Sequence, residues 1–131
     1  MNVIASAVLL TVGDPAASSR FFTGHLGFRE VLVAEGAVHL SRDDAAADLV
    51  VLRSRPGLPE ELRASARADV AVSFAVTGLA AEHERLRREG ARITMPLRQE
   101  PWGEWLLQLT DPNGVVIQLV EWMPPAGAGG L

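Results

Sequence analysis

Apolar and polar positions follow one another along the chain in a pattern that occurs twice. In the first half, the apolar, β-branched run Val8–Val12 predicts a buried strand over residues 3–12. Asp14 and Pro15 are typical of a helix start and Gly27 of a helix end, so a helix is predicted between them. Turn residues then separate three short predicted strands, at 28–34, 37–41 and 49–53.

The second half repeats this order after a polar connector over residues 55–69. A strand is predicted at 70–76, a helix at 80–89, and three strands at 92–97, 104–110 and 115–121. Val12 and Val76 end matching strands, and Gly27 and Gly90 end matching helices. Because one βαβββ unit cannot bury both its sheet and its helix, the repeat predicts a single α+β domain over 1–123. We expect two βαβββ modules, 3–54 and 70–122, that form a curved eight-stranded mixed sheet with helices on its outer face, and a disordered tail over 124–131.

Composition narrows the chemistry that this domain can perform. The chain has no Cys, three His and a formal net charge of −4. Disulfides, thiolate nucleophiles and iron–sulfur clusters are therefore excluded, and the acidic balance argues against nucleic acid as a partner. No apolar run reaches the length of a membrane span and no signal-like leader is visible, so we expect a cytoplasmic protein without a membrane partner.

Several short motifs occur in the order and spacing of a known superfamily. They are Val8–Asp14 with Leu26-Gly27-Phe28, Leu86–Ile93, Pro101-Trp102-Gly103, and the turn Asp111-Pro112-Asn113-Gly114 before the last strand. Over residues 3–122 the chain resembles the vicinal oxygen chelate superfamily, which includes glyoxalase I, extradiol dioxygenases, and fosfomycin- and bleomycin-resistance proteins. In character it is most similar to the bleomycin-resistance-type binding proteins.

The resemblance implies where a divalent metal would be held, and most of these positions lack a ligand. The positions at which relatives carry a His are Ala7 and Ala71, and the usual Glu is replaced by Gln118. The fourth strand offers only Asp48 at its start. Since alanine cannot coordinate and one neutral amide is a weak donor, we expect no metal, no cofactor and no assigned catalytic residue. Whether the protein is an enzyme stays open, with the balance against it.

A concave sheet face on which alanine replaces the metal ligands has room for a bulky ligand. Trp102 belongs to a loop similar to that of the drug-binding relatives, and Trp105 stands where many relatives carry Arg. Trp105 is equally compatible with a core or dimer-interface role, and Trp122 with covering a sheet edge. Strand alternation adds further positions to the same face as Ala7 and Ala71. The predicted ligand-binding residues are Leu9, His39, Ser73, Trp102, Trp105, Gln118 and Trp122.

The leading hypothesis is a metal-free protein that captures a hydrophobic or aromatic small molecule, with antibiotic sequestration as one purpose. The resemblance also implies a homodimer. Two alternatives remain open: a metal-dependent lyase, isomerase or dioxygenase of the same superfamily, and a metal-free enzyme with Glu104 or Asp48 as its base.

Overall fold

The computed structural model describes residues 2, 4–56 and 71–122, and the predicted tail and nearly all of the predicted connector lie outside this part of the chain. Within it the ten predicted elements are present, and their bounds differ from the predictions by a few residues at most. In chain order they are β1 (Ala7–Val12), α1 (Pro15–Leu26), β2 (Arg29–Ala34), β3 (Ala37–Ser41), β4 (Asp48–Arg53), β5 (Ala71–Ala75), α2 (Leu79–Arg88), β6 (Ile93–Gln99), β7 (Glu104–Thr110) and β8 (Val116–Trp122).

The strands form two four-stranded sheets of identical topology. The first has the order β1-β4-β3-β2 and the second the order β5-β8-β7-β6. In each sheet the first two strands are parallel and the other neighbours are antiparallel. This confirms the α+β class and the two βαβββ modules, although the eight strands are grouped in two sheets and not in one continuous sheet. The chain divides into two compact units that correspond to the modules, and the first unit also includes Pro112–Gly114.

In the first unit, α1 packs on one face of its sheet. Asp14 caps the helix by accepting a hydrogen bond from the Ala17 N–H, and Gly27 ends it in the left-handed conformation at φ 71°. The side chain of Phe22 is fully buried. The core beneath the helix consists of apolar side chains that alternate along the strands, namely Leu10, Val38, Leu40, Leu49 and Val51.

In the second unit, α2 covers the equivalent face. Leu79 and Leu86 on the helix are buried, as are Leu107, Leu109 and Ile117 on the strands. The Glu121 carboxylate accepts hydrogen bonds from the N–H groups of Gly78 and Leu79 at 2.7 and 3.0 Å. A carboxylate at this position compensates the positive end of the helix dipole. In the described part of the chain, neither helix is long and apolar enough to cross a membrane.

Candidate functional site

The face of the first sheet that is opposite α1 carries the candidate site of the first unit. Residues that pair in register share a sheet face, so the strand pairing defines this surface. We call it the first helix-free face, and its members are Ala7, Leu9, Thr11, Arg29, Leu32, Ala34, Ala37, His39, Ser41, Asp48, Val50 and Leu52.

One row of side chains runs across the middle of the first helix-free face. Leu9 on β1 pairs with Val50 on β4, Val50 pairs with His39 on β3, and His39 pairs with Leu32 on β2. The row is accessible at both ends, since Leu9 is 43% exposed and Leu32 is 62% exposed. Two predicted site residues, Leu9 and His39, therefore lie on one surface, where a single imidazole is flanked by aliphatic side chains.

His39 has a fixed partner on this face. Its Nε2 atom lies 2.9 Å from Oδ2 of Asp48, and the other oxygen of that carboxylate accepts a hydrogen bond of 2.8 Å from the Ser41 hydroxyl. The His39 and Asp48 side chains are 34% and 35% exposed. The hydrogen bond with His39, followed by that from Ser41, lowers the pKa of Asp48. The carboxylate is therefore ionised at neutral pH and holds the imidazole ring in one orientation.

The second unit has an equivalent but more polar surface. Its second helix-free face includes the residues that pair in register with Ser73 and its same-face neighbours, namely Ala71, Ser73, Ala75, Met95, Arg98, Leu106, Gln108, Thr110, Val116, Gln118 and Val120. The middle row runs from Ser73 through Gln118 and Gln108 to Met95. The Gln108 amide donates a hydrogen bond of 3.3 Å to Oε1 of Gln118. Ser73 and Gln118, both predicted site residues, thus adjoin on this face.

Trp102 and Trp105 are not brought together with that row. Trp102 lies in the turn between β6 and β7 and is 57% exposed. Trp105 pairs with Glu121, and its side chain points to the opposite face of the sheet from that of Gln108, which is three residues further along β7. Trp105 therefore lies on the α2 side, together with Leu107 and Leu109. The backbone of Trp122 ends β8, and its side chain lies outside the described residues.

The donor set does not fit a divalent metal. Val50 occupies in β4 the register position that Gln118 occupies in β8, so the four candidate strands present Ala7, Val50, Ala71 and Gln118. Only Gln118 offers a donor, and its oxygen already accepts a hydrogen bond from Gln108. Across the described ranges, no three His, Asp or Glu side chains cluster as a metal ion would require.

Sequence reasoning did not pair His39 with Asp48. From the sequence, Asp48 is a candidate ligand or base and His39 a predicted ligand-binding residue, and no local pattern joins the two. The register of the β3–β4 hairpin brings the two together. Val50 pairs with His39, and Asp48 lies two residues before Val50 on the same face of the sheet. Such diagonal pairs are within reach of long side chains. The turn residues at 42–44 predicted the change of chain direction between β3 and β4 but not the register of their pairing.

Comparison with known proteins addresses the fold. A glyoxalase/bleomycin resistance protein/dioxygenase from Nocardioides is 20% identical with a TM-score of 0.72, over 100% of this chain and 91% of its own. TioX from Micromonospora sp. ML1 is 21% identical with a TM-score of 0.67, over 91% of this chain and 98% of its own. A superfamily member from Sphaerobacter thermophilus is 19% identical with a TM-score of 0.71, over 92% and 98%. At these identities the likeness shows the fold alone, and none of the curated proteins matches the chain.

The family assignment comes from the sequence itself. Residues 4–119 match the family model of this superfamily, a range that covers both βαβββ units except the last three residues of β8. The chain therefore belongs to the Glyoxalase/Bleomycin resistance protein/Dioxygenase superfamily.

Proposed function

We propose that this protein binds a bulky hydrophobic or aromatic small molecule without a metal ion and captures it without transforming it. The observation that carries the proposal is the middle row of the first helix-free face. There Leu9, Val50 and Leu32 present an accessible apolar surface around His39. Small-molecule sites are mostly apolar with a few placed polar groups, and this row has that composition.

The replaced metal positions support the same proposal. A member of this superfamily that used a divalent ion would need several charged or imidazole donors. The small side chains of Ala7 and Ala71 supply no donor and leave room above their strands instead. Sequestration of an antibiotic is the biological purpose that we propose for such capture. The homodimer implied by the resemblance stays a prediction, which sedimentation equilibrium would test.

Binding of 1-methoxypyrene, a bulky planar probe without a hydrogen-bond donor, tests the proposal. Titration followed by tryptophan fluorescence and calorimetry should give a Kd below about 100 μM, which corresponds to about 5.5 kcal/mol. Leu9→Asp should weaken binding at least tenfold, because it places a charge in the apolar row. Val33→Asp is the matched control, since Val33 is also an exposed apolar residue on an edge strand but pairs with Val38 on the α1 side.

Two results would contradict the proposal. The first is the absence of 1-methoxypyrene binding below that concentration, and the second is an equal effect of Leu9→Asp and Val33→Asp. Metal analysis of the purified protein addresses the alternative of a metal-dependent lyase, isomerase or dioxygenase. One Fe, Mn, Ni or Zn ion per chain would favour that alternative and overturn metal-free capture.

A further inference from the structure

We propose that His39 accepts a hydrogen bond from the ligand, and that the ligand is a bulky apolar molecule with a phenolic or enolic hydroxyl. This inference rests on the proposed function and specifies the ligand class of the same surface. It starts from the row in which His39 is the one polar side chain, with Val50 on one side and Leu32 on the other.

The contact between His39 and Asp48 decides which ring nitrogen is available. An ionised carboxylate is an acceptor only, so the Nε2 atom that lies 2.9 Å from it must carry the proton. In the neutral imidazole the other nitrogen, Nδ1, then holds a lone pair. Within the described part of the chain, the hydrogen bond of the His39 side chain is the one through Nε2. Nδ1 is thus left to accept a hydrogen bond from a bound molecule.

Charge favours a hydroxyl over a carboxylate on the ligand. The cluster of His39, Ser41 and Asp48 contains the ionised Asp48 carboxylate, whose negative charge repels an anionic ligand. Arg29 on β2, two strands away from β4, is the cation that acts on Asp48, and its guanidinium is engaged by Asp43 at 2.7 Å. A phenolic or enolic hydroxyl is a neutral donor whose proton an imidazole beside a carboxylate accepts well.

A matched pair of probes isolates this hydrogen bond. 1-Hydroxypyrene and 1-methoxypyrene share their ring system and differ in the donor. We expect 1-hydroxypyrene to bind about tenfold more tightly at pH 7.5, the factor that corresponds to one hydrogen bond in a partly apolar site. 1-Pyrenecarboxylate should bind more weakly than 1-hydroxypyrene because of the negative charge of the cluster.

Variants separate recognition from a structural role of the cluster. His39→Phe should abolish the preference for 1-hydroxypyrene while 1-methoxypyrene still binds, and His39→Gln should restore part of it because its amide oxygen can accept. Asp48→Asn should reduce the preference severalfold, since an amide no longer fixes the proton on Nε2. His83→Phe on α2 is the control and should keep the preference. The ratio of two affinities is insensitive to a general loss of stability.

The outcomes distinguish this inference from the proposed function. If both pyrenes bind equally, or if His39→Phe keeps the preference, the role of His39 is overturned while capture of an apolar ligand stands. If 1-pyrenecarboxylate binds most tightly, the ligand class is wrong. If neither pyrene binds, the proposed function fails and this inference fails with it.

Discussion

At the scale of single residues, Asp48 shows how hydrogen bonds to a carboxylate link stability to pH. Bonds with His39 and Ser41 lower its pKa in the folded protein below the unfolded value of about 3.9. A carboxylate with a lowered folded pKa contributes stability that is complete above the unfolded pKa and is lost as pH falls through the folded one. Asp48→Asn, which has no such charge to lose, should therefore flatten the fall of unfolding free energy below about pH 4.

Urea denaturation of Asp48→Asn and of the unchanged protein between pH 3 and pH 6 measures the slope of unfolding free energy against pH. Glu35→Gln, which also removes one carboxylate but lies in the turn between β2 and β3, should leave the slope close to that of the unchanged protein. Identical slopes for Asp48→Asn and the unchanged protein would show that the pair with His39 contributes no stability.

At the scale of elements, the ends of the two helices offer a comparison inside one chain. Gly27 directly follows α1 and Gly90 follows α2 after Glu89, and the two glycines have positive φ of 71° and 76°. An added methyl group at Gly90 would meet no atom within 4 Å, whereas at Gly27 it would lie 2.6 Å from Nη1 of Arg42. That nitrogen donates a hydrogen bond to the carbonyl of Leu26, which the Arg42 side chain would lose on moving away.

Gly90→Ala should therefore lower the free energy of unfolding by about 1–2 kcal/mol, because alanine is strained in the left-handed backbone conformation. Gly27→Ala should cost about 1 kcal/mol more, for the additional lost hydrogen bond. Urea denaturation gives both values, and Gly24→Ala inside α1, where a methyl group has open space, controls for the substitution itself. Equal costs at the two helix ends would show that Arg42 contributes nothing to the end of α1.

The elements were also what the sequence predicted best. Periodicity, caps and turn glycines act within a few residues, and they located β3 and β7 at their observed bounds. The grouping of strands into two sheets depends on pairing between distant residues, which local patterns do not determine. The placement of the candidate-site residues on the sheet faces was predicted only in part for the same reason. Alternation placed Leu9 and Ser73, but the face of Trp105 and the partner of His39 depend on register.

At the scale of the whole molecule, one segment of the second half of the chain belongs to the first compact unit. The first unit includes Pro112–Gly114, a turn from the second half of the sequence. Asn113 in this turn accepts a hydrogen bond of 3.0 Å from the Asp14 N–H, and its amide donates to the Asp14 carbonyl at 2.6 Å and to Ser18 Oγ at 2.8 Å. Ser18 is fully buried on α1. One side chain thereby joins the start of α1 to a segment about a hundred residues away.

Asn113→Ala removes all three hydrogen bonds and should lower the unfolding free energy by about 1–3 kcal/mol, because water can replace the contacts at Asp14 more readily than the one at Ser18. Asn113→Asp keeps an acceptor for the Asp14 N–H and adds a charge that the start of the helix favours, so it should lose less. The exposed Asn2 is the matched control, and Asn2→Ala should leave the urea midpoint unchanged. If Asn113→Ala matched Asn2→Ala instead, the turn would be held by its backbone, and the long-range side-chain contact would add no stability.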